Sequence, residues 1–340
     1  MQLGAHTLSL EEATRFIKNH GCTTVALQLP EGLKPQFQPI VDYLEEQTKA
    51  TIIISGDPCF GACDINEERF THLHIDCILH LGHTSIPSCS QGLIPTLCLN
   101  VLSACHIEKG FNHIMEKVKG KTIGLVTTAQ HLHLLEEASA LLRDAQATPL
   151  IGKGDRRLSH PGQILGCNFS AAQSIADKVD AFVFLGSGMF HPLGLTLSTK
   201  KPVITVDPYT NQVIIKELEQ LREKILRQRY AVIAKAQQAH VFGIMISLKR
   251  GQQRLTLAMK LLNLLKNHQK KAYLITMDTM QPSLLEAFRG IDCFISTACP
   301  RVAIDDMHQY KTPLLTPLEL DIALGITPWD EYRFDEIVEP

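Results

Sequence analysis

The sequence predicts an α/β protein of three similar domains. Each has a small, mostly parallel four-stranded sheet, and the three surround a central cleft with pseudo-threefold symmetry. Three observations predict this. Apolar runs recur in three sets of four. The runs are continuous rather than alternating, which suits parallel strands covered on both faces. An amphipathic helix follows the first run of each set, giving strand–helix–strand units of right-handed connection.

The first set lies at 24–29, 51–55, 77–81 and 95–99, the second at 122–127, 148–151, 181–185 and 202–206, the third at 241–247, 272–277, 293–296 and 313–315. The three helices present apolar faces at helical spacing. They are Leu33, Phe37, Ile40, Val41 and Leu44; Leu134, Leu135, Ala138, Leu141 and Leu142; and Leu255, Ala258, Met259, Leu262 and Leu265. The domains are placed at 1–108, 109–212 and 213–340. The third opens with one long helix over 213–239, carrying Leu218, Leu221, Ile225 and Ile233 among many charges. It reads as a connecting helix, with dimerisation as the sharper alternative.

A chain of 340 residues is long enough for two or three such cores. Its 45% hydrophobic and 20% charged residues describe a soluble globular protein. A formal net charge of -2 gives no footprint for non-specific nucleic-acid binding. No signal peptide is read at the N-terminus; Ser9-Leu10-Glu11-Glu12 reads as a capping box. No apolar run approaches a membrane span. The expected location is the cytoplasm, where ten cysteines do not form a disulfide framework. Cys22, Cys77, Cys98 and Cys293, in or beside strands, read as small buried hydrophobes.

Three other cysteines stand in small-residue turns near strand ends, where parallel α/β sheets collect ligands. Cys59 lies in Gly56-Asp57-Pro58-Cys59-Phe60-Gly61-Ala62-Cys63-Asp64. Cys167 lies in Leu165-Gly166-Cys167-Asn168-Phe169-Ser170, before a helix that Ser170 could cap. Cys299 lies in Ser296-Thr297-Ala298-Cys299-Pro300-Arg301. Three thiolates suit a [4Fe–4S] cluster with one iron lacking a protein ligand, since full protein ligation takes four. Such an open iron can hold a substrate. Neighbouring glycines let backbone approach the cluster. Three buried structural thiols are the alternative, which the Gly-Asp-Pro-Cys turn disfavours. The contiguous CxxxCxxC motif is incomplete because position 66 is Asn66, so Cys63 reads as a supporting or structural thiol. His72, His74, His80 and His83 could hold zinc, but the first two precede a strand that the second two end. His83 is expected to face the cleft. So are Gln28, Glu31, His191, Asp207, Tyr209, Gly251 and Gln252, all at strand ends, where a helix N-terminus can also take a carboxylate. There is no Walker loop and no G-x-G-x-x-G after a strand.

Gln28-Leu29-Pro30-Glu31-Gly32, the 56–64 motif, Leu81-Gly82-His83 and Ala298-Cys299-Pro300-Arg301 with Asp305-Asp306 carry a resemblance. Glu319 and Trp329 with Tyr332 add to it. Over essentially its whole length the chain resembles the archaeal 2-(3-amino-3-carboxypropyl)histidine synthases, the first enzymes of diphthamide biosynthesis. The lack of long terminal extensions resembles archaeal rather than eukaryotic members. The resemblance implies a [4Fe–4S] cluster held by Cys59, Cys167 and Cys299, a homodimer, and S-adenosylmethionine as substrate. It implies cleavage between sulfur and the methionine γ-carbon, giving a 3-amino-3-carboxypropyl radical. That radical adds to C2 of a histidine imidazole in translation elongation factor 2, with a one-electron reductant as a further partner. Gln28, Glu31 and His83 are expected to bind S-adenosylmethionine, from their strand-end positions. A quinolinate-synthase-like dehydratase is one rival, disfavoured by the Gly-Asp-Pro-Cys motif. A non-catalytic subunit that docks the elongation factor is another, disfavoured by retention of all three cysteines.

Overall fold

The computed structural model describes residues 1–4, 6–65, 67–87 and 92–339. Position 66, where the contiguous three-cysteine motif would need its last thiol, lies outside them.

Strands β1 (Gln2–Leu3) and β2 (His6–Leu8) form an antiparallel hairpin. Next come β3 (Thr24–Gln28), β4 (Thr51–Ile54), β5 (Cys77–Leu81) and β6 (Thr96–Leu99), all parallel in the order β4-β3-β5-β6. Strand β7 (Val101–Ser103) returns to pair antiparallel with β2 and completes a small three-stranded sheet. The second large sheet uses β8 (Thr122–Thr127), β9 (Thr148–Leu150), β10 (Ala181–Leu185), β11 (Val203–Val206) and β12 (Val213–Ile214), in the order β12-β11-β10-β8-β9. The third uses β13 (Val241–Ser247), β14 (Lys271–Met277), β15 (Cys293–Ser296) and β16 (Leu314–Leu315), all parallel in the order β14-β13-β15-β16. The expected class of small, mostly parallel sheets is what the chain forms.

Three details differ from expectation. The second sheet has five strands, because Val213–Ile214 pairs antiparallel with β11 instead of opening the long helix. That helix starts at Lys216 and runs to Ala236. The hairpin sheet was not foreseen, since its strands are only two or three residues long. Ser9 does not cap the first helix: Leu10 holds the cap position, and the Ser9 hydroxyl donates to Glu11 Oε2 at 2.7 Å.

Each large sheet buries one helix of the expected set. Helix 37–48 turns in Ile40 and Leu44, helix 135–144 turns in Leu135, Ala138 and Leu142, and helix 255–267 turns in Ala258, Leu261 and Leu265. Full burial of such a leucine contributes about 1.5–3 kcal/mol. Leu255 and Met259, assigned to the third buried face, are 48% and 43% exposed. The long helix buries Leu218, Ile225 and Ile233, and also Arg229. Parallel strands bring their carboxyl ends to one edge of each sheet, and the loops leaving those edges build the site described next. Among the described residues no helix is long and apolar enough to cross a membrane.

Candidate metal centre

A cavity of about 550 Å³ lies among these loops, within the roughly 300–1,000 Å³ of small-molecule sites. Its wall includes Cys63, Cys167 and Cys299, one thiol from each sheet's loops. Cys59 is not on that wall. Of the two cysteines in the 56–64 turn, it is Cys63 that stands on this wall with Cys167 and Cys299, whereas the expected cluster ligand Cys59 does not.

Local geometry explains the exchange. Cys59 is 6% exposed and turned towards the end of β5, with Sγ 3.9 Å from His80 Nδ1. Gly61 is extended, and Ala62–Asp64 then form one 3₁₀ turn closed by Asp64 N–H donating to the Gly61 carbonyl at 2.9 Å. The turn carries Cys63 to the cavity. Gln252 Nε2 donates to its Sγ at 3.4 Å. Asp64, buried, is anchored by Lys249 Nζ at 2.7 Å, a contact between the first and third sheets' loops.

Cys167 sits in a tight bend in which Leu165 and Asn168 bridge to each other. The expected cap does not form. Ser170 is the first helical residue, and its N–H and hydroxyl both donate to Asn168 Oδ1, at 3.1 and 2.7 Å. Asn168 Nδ2 in turn donates to Asp155 Oδ2 and to the Ile337 carbonyl, at 2.8 and 2.9 Å. Gly166 is required by close approach: a Cβ there would lie 2.2 Å from the Phe190 ring. Cys299 follows β15 at the entry to the short helix Pro300–Ile304, and its carbonyl accepts from Val302 N–H at 3.1 Å.

Burial raises all three thiols, Cys299 to about 12, and Cys63 adds a repulsive charge to both Cys167 and Cys299. Buried cations answer this. Lys249 and Arg301 line the cavity, and Arg157, 2% exposed, lowers the Cys167 thiol in opposition to burial. Arg157 Nη2 donates to the Gly251 carbonyl at 3.0 Å and Nη1 to Glu339 Oε1 at 2.9 Å. Three thiols from three loops, with three buried cations around them, are a donor set that fits a thiolate-held iron–sulfur cluster.

Arg301 was quoted in the sequence without a role. It is 4% exposed, pairs with Asp305 one turn on (Nε–Oδ2 2.6 Å, Nη2–Oδ1 2.7 Å), and lies over the Phe190 ring at 4.0 Å. Its Nη1 has no hydrogen-bond partner among the described residues.

The other expected residues divide. His83, His191 and Gln252 reach the wall. Gly82, at φ +86° and against Pro30, turns the chain so that His83 leaves β5 towards the cavity. His191 stacks on Phe184, and burial depresses it to about 3. Gln28 is buried behind the wall, with Oε1 3.2 Å from His80 Nδ1, as the β3–β5 register places it. Glu31 is exposed and paired with Lys34 at 2.6 Å, away from the cavity. Asp207 accepts from the N–H groups of Tyr209 and Thr210, and the Tyr209 hydroxyl meets His6, so both serve the hairpin side.

Fold and site together define a class: repeated parallel α/β domains that bring one thiol each to a common cavity. The sequence pattern described as diphthamide synthesis protein matches residues 29–333. The chain is 36% identical to the 2-(3-amino-3-carboxypropyl)histidine synthase of Pyrococcus horikoshii over 335 residues, 98% of this chain and 94% of the relative. It is 29% identical to the enzyme of the same name from Methanocaldococcus jannaschii, over 98% of this chain and 93% of the relative. The solved structure of Dph2 from Pyrococcus horikoshii with a 4Fe-4S cluster superposes with a TM-score of 0.88 at 35% identity, covering 98% of this chain and 94% of the other. The chain belongs to the diphthamide synthesis protein family, and so to a family of enzymes.

Proposed function

We propose that the chain catalyses the first step of diphthamide biosynthesis, as a transferase that moves the 3-amino-3-carboxypropyl group of S-adenosylmethionine to C2 of a histidine imidazole in translation elongation factor 2. The observation that carries this is the convergence of Cys63, Cys167 and Cys299 on one cavity, in a chain whose relatives bear that activity in their names. Cys63, Cys167 and Cys299 would hold a [4Fe–4S] cluster, one ligand from each of the domains 1–108, 109–212 and 213–340. When bound, such a cluster supplies one electron and one iron position open to substrate.

The chain's own residues do the rest. Gln252 and Lys249 fix the loop that carries Cys63. Arg157 and Arg301 offset the negative charge of the thiolates. Arg301, which lines the cavity, takes the carboxylate of the methionyl group, a charge-assisted contact in a site screened from water. That contact orients the chain of the substrate so that the bond from sulfur to the γ-carbon lies towards the cluster. His83, on the wall, bounds the nucleoside side. A homodimer, and a one-electron reductant that reaches the cavity, complete the reading.

The test is ligand identity. Protein reconstituted anaerobically should carry about four irons per chain. Cys63→Ala, Cys167→Ala and Cys299→Ala should each lose most of that iron and its visible absorbance, and Cys59→Ala should keep both. Iron lost in Cys59→Ala but kept in Cys63→Ala would overturn the assignment.

A further inference from the structure

Cys59, displaced from the wall, is not isolated. Its Sγ and one nitrogen each of His80 and His83 lie within 4.8 Å of one another. His80 is fully buried, and its two ring nitrogens are both engaged: Nδ1 lies 3.9 Å from Cys59 Sγ and 3.2 Å from Gln28 Oε1, and Nε2 lies 3.0 Å from His83 Nδ1. His83 reaches the cavity wall. We propose that Cys59, His80 and His83 form a second metal site, for a single divalent ion of the zinc type, separate from the three thiols of the cavity.

The chemistry of the three donors supports this. One thiolate and two imidazoles are a ligand set that zinc takes, with bonds of about 2.3 Å to sulfur and 2.0–2.1 Å to nitrogen. Two donors on one tetrahedral ion then stand roughly 3.3–3.6 Å apart. The 3.9 and 3.0 Å contacts reach opposite nitrogens of the His80 ring, so one ion would use a single His80 nitrogen. With one donor per residue the three atoms lie within 4.8 Å of one another, and closing them on one ion needs shifts of up to about 1 Å. Burial holds both imidazoles neutral, at about 3 and about 4, which is the form that binds metal. Burial and Asp64 hold the thiol protonated; a dication would replace that proton, which leaves to solvent through the cavity. Three protein donors would leave a fourth position for water or another ligand, and His83 stands on the cavity wall. The ion would tie the 56–64 loop, which carries Cys63, to the end of β5.

The site is independent of the cluster, so its test removes the cluster first. A variant with Cys63→Ala, Cys167→Ala and Cys299→Ala, checked for native far-ultraviolet circular dichroism, is titrated anaerobically with cobalt(II) and then zinc(II). We expect one cobalt per chain with a thiolate-to-cobalt charge-transfer band, displaced by one zinc. Adding Cys59→Ser or His83→Gln to that background should weaken zinc by more than the roughly 10–100-fold that loss of an outer partner costs. Two results would overturn the proposal: no stoichiometric cobalt in the triple variant, or a band that survives Cys59→Ser. Zinc bound by the unaltered protein but not by the triple variant would place the ion on the cavity thiols and would overturn it too.

Discussion

Arg301 shows what one side chain in this cavity does. Its guanidinium is paired with Asp305 and lies over the Phe190 ring, and its buried Nη1 has no hydrogen-bond partner among the described residues. A hydrogen bond to a charged group contributes about 1.5–3 kcal/mol. Arg301→Met should therefore raise the KM for S-adenosylmethionine by about 10–100-fold, compared at equal iron content per chain. An unchanged KM would remove Arg301 from substrate binding. The same scale explains why Cys63 was missed in the sequence. Two thiols four residues apart in one turn look alike, and only the direction of the 3₁₀ turn decides which reaches the cavity. A signal was present: Cys63 follows the small residues Gly61 and Ala62, whereas Cys59 follows Pro58. The position of Cys167 and Cys299 on the cavity wall was legible because each is the single thiol of its loop.

The long helix 216–236 depends on one ion pair. Arg229 and Glu319, both wholly buried, meet in a bidentate contact, with Nε–Oε1 at 2.8 Å. Arg229 also donates to the carbonyls of Ala303 and Leu314, at 2.7 and 2.8 Å. Glu319 accepts from Thr316 N–H and from the Tyr332 hydroxyl, at 2.8 and 3.3 Å. Helix, third sheet and tail thus share one polar knot. Glu319→Ala should cost about 3–5 kcal/mol, read as a lower urea midpoint, because it leaves a buried guanidinium unpaired. The pair Arg229→Met with Glu319→Leu should recover most of that loss. A cost under about 1 kcal/mol for Glu319→Ala would show the knot to be dispensable. Periodicity located this helix, since Leu218, Ile225 and Ile233 keep their spacing. It could not locate the knot, because a buried arginine on a charged helix looks like one more solvated charge until its partner, ninety positions on, is in place.

At the scale of the molecule, the hairpin sheet joins the second domain through histidine. Ser103 and His131 Nδ1 lie 2.7 Å apart, and His131 packs edge-on against Tyr209, whose hydroxyl meets His6. Burial depresses His131 from 6.5 to about 4. The unfolded chain then binds the extra proton first, so stability is complete above pH 6.5 and falls as pH drops towards 4. The group's share of the loss by pH 4.5 is about 2–3 kcal/mol. His131→Gln should lower stability at pH 7 and flatten the decline between pH 7 and 4.5, measured by urea unfolding. An equally steep decline in the variant would assign it to other groups.

The repeated architecture was legible because each domain carries its own apolar runs. The antiparallel additions were not, since strands of two or three residues have no period to read. The convergence of three loops on one cavity is a property of tertiary packing, which position along the chain implies only through the rule that parallel strands end on one side.

The central claim is a transfer of the 3-amino-3-carboxypropyl group at this cavity, and single-turnover analysis tests it most directly. Anaerobically reconstituted protein, reduced with dithionite, is given S-adenosylmethionine and elongation factor 2. Release of methylthioadenosine together with one modified histidine on the factor is the result the account predicts, abolished by Cys63→Ala. Deoxyadenosine in place of methylthioadenosine, or no modification by protein that carries its full iron, would contradict it.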